Sequence, residues 1–319
     1  VFRFTAKPQT TLVPIGGGKD SIVTLELLKS RFPILLFSLN PTLAARNIIK
    51  SENKIKSVTA NREIDPVLLG LNQKGYLNGH TPFSGYLAFL LVLIAMIEKT
   101  VFIAVSNEAS ANEGNVKYHD KVINHQYSKS FNSEKLFAAY SKKYLSPSIR
   151  YFSFLRPLHE IQIAKIFVNY PGFFPIFRSC NVGQKQNHWC GKCPKCLFVY
   201  LLLSAFTKPQ KVVNVFGKDL LDDPSLIQLG QKLMGVAGNK PFECVGTYQE
   251  TLAAYSLILE RRKNEKNFPS LLSFFRKEIL PRFPKIKQDS RQLLTSWNQE
   301  NLLPKKFERI LKPQISARL

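Results

Sequence analysis

Four of the five cysteines, Cys180, Cys190, Cys193 and Cys196, fall within 17 consecutive positions. A Cys-x2-Cys pair presents two thiolates to one ion, and a third and fourth cysteine nearby complete a tetrahedron. The spacing therefore points to a closed, structural Zn2+ site. An iron–sulfur cluster takes the same four thiolates and stands as the alternative. Lys192 and Lys195 lie among the cysteines and offset their charge. Cysteines used this way indicate a reducing compartment, here the cytoplasm, rather than a disulfide framework. Cys244 stands apart, between Glu243 and the Val245-Gly246 pair. A lone thiol is either a small inert hydrophobe or, beside a base or a cation, a group that moves protons.

A second chemical signal is Gly16-Gly17-Gly18-Lys19-Asp20-Ser21. Glycines let a backbone approach phosphate oxygens. A following helix start offers free N–H groups and the positive end of a dipole. Ser21 adds a hydroxyl. Asp20 would repel a phosphate unless Mg2+ lay between them, so the run suggests a metal–nucleotide complex. Neither the Walker A spacing nor Gly-x-Gly-x-x-Gly is present. The structural alternative is a glycine turn that caps a helix, with Asp20 and Ser21 as the capping residues.

Four polar stretches exceed what a fold alone requires. Asn78 and His80 precede a long apolar segment, where Thr81 and Pro82 alone would serve as cap and first turn. Asn107 and Glu108 follow directly on an apolar run. Asn124, His125, Gln126 and Lys129 fall within six positions, and Cys244 lies in the fourth stretch. Each has a bland reading as solvated loop or core. Cys244, His125, His80 and Lys129 are the side chains among them with acid–base chemistry, and the sequence does not choose between them.

The elements that must hold these groups follow from the pattern. Residues 10–15 form a β-rich run broken by Gly16–Gly18, and Ile22, Val23, Leu25, Leu27 and Leu28 mark a helix after it. Residues 33–39 are continuously apolar, as in a parallel strand covered on both faces. A helix is expected over 42–50, a strand over 58–64, a helix over 81–99 and a strand over 101–105. Residues 107–129 read as loop, 136–143 and 158–168 as helices. Residues 196–206 read as an apolar helix behind the metal site. Short alternating strands and helices imply a doubly wound parallel sheet. The division expected is a unit over 1–206 carrying the cysteines and a basic, Phe-rich helical region over 207–319, split by Pro269, Pro281, Pro284 and Pro304.

With 319 residues, 45% hydrophobic and 21% charged, the chain can bury a core and wholesale disorder is excluded. The longest apolar stretch, 86–97, is too short for a membrane span of about 20 residues and reads as a buried helix. Lys plus Arg exceed Asp plus Glu by 45 − 22 = 23, which favours anionic partners, nucleic acid not excluded. No protein partner is identifiable. The chain begins with Val1 close to its first motif, which suggests that an N-terminal piece is missing.

The run Gly16–Ser21 resembles the loop of the PP-loop ATP pyrophosphatases, an adenine nucleotide α-hydrolase-like family whose signature is Ser-Gly-Gly-x-Asp-Ser. Gly16 stands where the family usually has Ser. Together with residues 77–80, 106–108, 124–130, 189–196 and 241–247, it is similar to the branch of that family that epimerises a peptidoglycan precursor. The resemblance spans roughly residues 10–260. It implies ATP with Mg2+ held by Gly16, Gly17, Gly18, Lys19, Asp20 and Ser21, with Ser38 and Asn40 near the adenosine. It further implies a UDP-MurNAc-dipeptide substrate met by Asn78, Asn107, Glu108, Asn124 and Gln126. The terminal L-Glu would pass to D-Glu through an acyl-adenylate, with release of AMP and pyrophosphate. Rival readings are a tRNA-modifying or deazapurine nitrile synthase PP-loop enzyme, and a zinc-stabilised nucleic-acid-binding module without catalysis.

Overall fold

The computed structural model describes residues 10–77, 82–114, 116–265 and 268–316. The calls on Asn78 and His80 lie outside the described residues. At the centre are β1 (Thr11–Pro14), β2 (Ile34–Leu39), β3 (Ser57–Ala60), β4 (Phe102–Val105) and β7 (Arg150–Ser153), all parallel, in the order β3-β2-β1-β4-β7. The order reverses between β1 and β4, so the loops leaving those two strands flank a crevice at the carboxyl edge of the sheet. In α/β sheets such a crevice is where ligands bind. The expected third strand is shorter than 58–64. Residues 61–65 have no regular structure, and Asp65 caps a helix that the sequence did not signal.

Helices α1 (Lys19–Leu28), α2 (Leu43–Ser51), α3 (Pro66–Gln73) and α4 (Phe83–Ile97) fall between the first four strands. α1 starts at Gly18, which has extended backbone and makes no side-chain cap bond. Asp20 and Ser21 are therefore inside the first turn rather than capping it, and Ser21 Oγ donates to Gly18 O at 3.1 Å. Thr42 caps α2 by accepting from Ala45 N, and Asp65 caps α3 by accepting from Val67 N. Successive residues of the strands face opposite cores. Val13, Leu36, Ala104 and Phe152 pack with Ile22, Leu25 and Ile48 of α1 and α2. Leu12, Phe37, Ile103 and Tyr151 pack with Ala88, Leu91, Val92 and Ala95 of α4.

α4 departs from expectation. Only its inner face is buried, while Phe83, Tyr86, Phe89, Leu93 and Ile97 are exposed. No helix among the described residues is long and apolar enough to cross a membrane.

Residues 107–129 are not all loop: a hairpin forms from β5 (Val116–Tyr118) and β6 (Lys121–Ile123), turning through His119 and Asp120 with positive φ. α5 (Phe131–Tyr140) begins earlier than expected because Ser130 accepts from Ser133 N. α6 (Glu160–Phe167) and α7 (Pro194–Ser204) match their expected positions. α7 is buried along almost its whole length, behind the cysteines. Then come α8 (Pro209–Phe216), α9 (Ile227–Met234), α10 (Tyr248–Arg261), α11 (Ser270–Phe274), α12 (Ile286–Thr295) and α13 (Lys305–Leu311). Phe307 of α13 is fully buried and stacks on Phe32 at 4.6 Å, with Phe152 at 4.7 Å.

Candidate active site

The glycine loop leaves β1 at the crevice. Gly17 has φ +96°, and a Cβ there would come within 3.0–3.2 Å of Ala44 Cβ, Thr42 Oγ1 and Ala45 N, so only glycine fits against the start of α2. At Gly16 a Cβ would meet nothing within 4 Å. The open space there is a cleft of about 380 Å3 lined by Gly16, Ser38, Asn40, Thr42, Arg62 and Gln184, among others. Ser38 and Asn40 are both engaged by backbone. Ser38 Oγ donates to Ile15 O at 2.9 Å. Asn40 bonds Arg62 both ways, with Nδ2 to Arg62 O and Arg62 N to Oδ1. They shape the cleft wall more than they offer free donors to it.

Lys19 is buried, its ammonium donating to Asp20 Oδ1 and Glu160 Oε2. Glu160, at the first turn of α6, pairs through Oε1 with Lys195 Nζ at 3.5 Å. Lys195 Nζ in turn donates to Cys244 O, and Lys195 N donates to Glu243 Oε2 at 3.0 Å. A buried ionic chain thus runs from the glycine loop to the Cys244 segment. Burial alone would raise Glu160. The fields of Lys19 and Lys195 overcome it and hold the carboxyl well below the usual range, at about 2. For Lys19 burial works against the charge, but Asp20 and Glu160 keep it firmly protonated.

The Cys244 thiol is only partly buried, and Lys129 Nζ donates to its Sγ at 3.1 Å. Burial disfavours the Lys129 ammonium, yet Cys244 and Glu108 push its pKa up, so it stays charged. Glu108 sits just beyond β4. Burial, then the negative Glu160 and Asp20, raise its carboxyl to about 7 against the pull of Lys129 and Lys19. His125 is half-buried at the edge of the site, its ring 6.0 Å from that of Phe242 and nearly perpendicular to it.

Arg156, which the sequence did not single out, organises these loops. It is fully buried and pairs with Glu134 at 3.0 Å. Its Nη1 donates to Glu108 O at 2.6 Å and its Nη2 to Lys129 O. Glu134 also accepts from Ser153 N at 2.8 Å. Asn124 is structural, bonding Ala111 O and Gln126 N. Asn107 Nδ2 donates to Ser153 Oγ at 3.3 Å. Gln126 is buried, and its side-chain oxygen has no hydrogen-bond partner among the described residues. Lys240, also buried, ties the segment before Cys244 to Glu113 at 2.9 Å. After it, Glu250 of α10 makes a capping box with Thr247 and accepts from Ile161 N at 3.1 Å, fixing the two helix starts together.

The sulfurs of Cys180, Cys190, Cys193 and Cys196 all lie within 4.8 Å of one another, and the group could hold a metal ion. The pairs Cys180–Cys193 and Cys190–Cys196 are 3.9 and 3.7 Å apart. A tetrahedron with Zn–S bonds of about 2.3 Å has S···S edges of about 3.8 Å, so the donor set fits a single ion of that size. Cys193 caps α7 through Cys196 N.

The MurL N-terminal domain profile matches residues 2–154 and the MurL C-terminal domain profile residues 176–286. The chain is similar to proteins called UDP-N-acetyl-alpha-D-muramoyl-L-alanyl-L-glutamate epimerase. The Salinispora tropica protein is 38% identical over 257 residues, covering 78% of this chain and 56% of the relative. A Micromonospora protein is 38% identical over 258 residues, covering 78% and 57%. The Xanthomonas oryzae pv. oryzae protein is 31% identical over 308 residues, covering 94% and 67%. The chain thus spans little more than half the length of the first two. With both domain profiles matched in order and this level of identity across most of its length, the chain belongs to the MurL family.

Proposed function

We propose that this protein is an ATP-dependent epimerase that converts the terminal L-Glu of UDP-MurNAc-L-Ala-L-Glu to D-Glu in the cytoplasm, on the way to peptidoglycan. The observation that carries the reading is the ionic chain Asp20–Lys19–Glu160–Lys195–Cys244, which couples a glycine loop suited to phosphate with a thiol beside a fixed ammonium. The names of the relatives support it over a tRNA-modifying or nitrile synthase reading. In this proposal the sheet is a doubly wound PP-loop fold within residues 1–206, followed by a helical region over 207–319.

The chemistry needs two groups of residues. An α-proton next to a free carboxylate is hard to remove, because a second negative charge would build on the same group. Joining AMP to that carboxylate cancels its charge. The N–H groups at the start of α1, which have no side-chain cap, would hold the phosphates, and Asp20 would hold Mg2+, whose charge neutralises them. The cleft at Gly16 is in the size range of small-ligand sites, roughly 300–1,000 Å3, and would take the adenosine. Lys19 then serves as a buried strut rather than a free phosphate ligand. At the α-carbon, Cys244 would act on one face, with the Lys129 ammonium held against its sulfur. Glu108, which is the group that holds a proton near neutral pH, would deliver one from the other. Gln126 would orient the glutamyl group, and Asn107 would meet the substrate farther from it.

Supplying ATP with the L,L substrate in D2O tests the reading. AMP, pyrophosphate and a D-glutamyl product with deuterium at the α-carbon are expected. Formation of ADP, or exchange without ATP, overturns it. If Glu108 donates a proton, exchange should fall as pH rises through about 7, the range to which its carboxyl is raised. Glu108→Gln should remove that limb from the pH profile and lower the rate on the order of 10²-fold. A profile unchanged in the variant assigns the donor elsewhere.

The cysteine set is proposed to hold one structural Zn2+. Cys193→Ser should lower zinc content, read by elemental analysis, and soluble yield together, because structural zinc contributes to folding directly. Full zinc content in the variant would contradict the assignment.

A further inference from the structure

A second cavity, of about 390 Å3, opens on the other side of the first turns of α4 from the cleft at Gly16. Phe83 and Leu87 line the first cleft, Ser84 and Ala88 the second. The walls of the second are aromatic: Phe89, Phe137, Tyr140 and Tyr151. Phe89 meets Phe137 edge-on at 5.0 Å and Tyr140 at 5.8 Å, and Phe137 meets Tyr151 at 4.8 Å. Phe89 and Tyr140 remain 49% and 45% exposed, so their ring surfaces are available to a ligand. Asn107 and Ser128 form the polar rim. They immediately precede Glu108 and Lys129, whose carbonyls Arg156 holds, so the rim of the groove is tied along the chain to the proposed reaction centre.

We infer that this groove seats the pyranose ring of the substrate, an inference that rests on the epimerase reading. Three features select that part of the molecule. Aromatic walls with a hydroxyl and amide rim match a ring that has C–H faces and polar edges. None of the described lining residues is cationic, and the one acid, Glu134, is already engaged by Arg156 and Ser153 N, so the diphosphate has no partner here. Connectivity is the third: the rim residues Asn107 and Ser128 are chain neighbours of Glu108 and Lys129, and the alanyl and lactyl units, at about 3.8 Å per unit, carry the substrate roughly 8 Å from the glutamyl α-carbon before the ether to the sugar. The diphosphate and uridine would then extend beyond the groove.

The test uses Phe89→Ala and Tyr140→Ala, both at partly exposed positions, with UDP-MurNAc-L-Ala-L-Glu and with MurNAc-L-Ala-L-Glu lacking the nucleotide. The expected result is a KM raised about tenfold for both substrates, with kcat within about twofold and the KM for ATP unchanged. An unchanged KM overturns the inference. So does a loss confined to the UDP-bearing substrate, which would place the uracil in the groove instead. If the wild-type chain turns over neither substrate, the epimerase reading fails for this chain. The groove is then tested by NMR alone: contacts from the sugar-ring protons of MurNAc-L-Ala-L-Glu to protein aromatics should appear in the wild type and vanish in Phe89→Ala. Their absence in the wild type overturns the inference.

Discussion

Cys244→Ala should suppress deuterium uptake at the glutamyl α-carbon by about 10²–10⁴-fold, the usual contribution of a positioned acid–base group, while AMP formation changes by no more than a few-fold. The split is expected because the thiol belongs to only one end of the ionic chain. It touches Lys129 through its sulfur, and the connection to Lys195 runs through its backbone carbonyl, which alanine keeps. The glycine loop therefore loses no partner. His125→Ala is the control, since that ring packs against Phe242 at the edge of the site. Loss of exchange in His125→Ala with exchange intact in Cys244→Ala would transfer the role to His125. Equal loss of exchange and AMP formation in Cys244→Ala would show that the thiol is structural.

The second large effect is on stability. Glu160→Gln should cost about 3–5 kcal/mol, because it removes the shared anion from Lys19 and Lys195, both of which are buried. In a chain of this size that lowers Tm on the order of 10 °C. The pH dependence has a definite sign. Glu160 titrates lower in the folded protein than when unfolded, so its contribution is present above about pH 4.5 and fades as pH falls toward about 2. Urea midpoints across that window should fall more steeply for the wild type than for Glu160→Gln. A variant that loses under about 1 kcal/mol and keeps the same acid slope would show that the pairing contributes little.

The parts of the site that are local in sequence were readable. The Cys180–Cys196 spacing brought four sulfurs together, and the glycine loop landed between a strand and a helix at the crevice. Glu108, Lys129 and Cys244, from three of the polar stretches, lie close together. Glu160, Arg156 and Glu134 were missed, and Lys195 was read as a counter-charge to the cysteines although its ammonium meets Glu160 and Cys244 O, for one physical reason: each is a charge made tolerable by a partner distant in the chain. Lys19 and Glu160 are 141 residues apart, and Glu160 by itself reads as an ordinary acid in the first turn of a helix. Asn40 and Asn124 are polar for a local reason that the sequence does not show. Each side chain bonds backbone groups: Asn40 those of Arg62 just past β3, and Asn124 those of Ala111 and Gln126. β7 was missed because it opens on an exposed arginine and ends on a buried serine, so it shows no continuous apolar run, and α3 because all of its residues lie on the surface or near it.

Glu160 lies in the stretch between the two matched segments, 2–154 and 176–286, while Lys19 belongs to the first and Lys195 and Cys244 to the second. The boundary between the halves is therefore the position of their shared counter-ion. A gene recombined between two relatives at this boundary inherits Lys19 from one parent and Lys195 from the other, and it works as a chimera only where both parents agree on the acid between them.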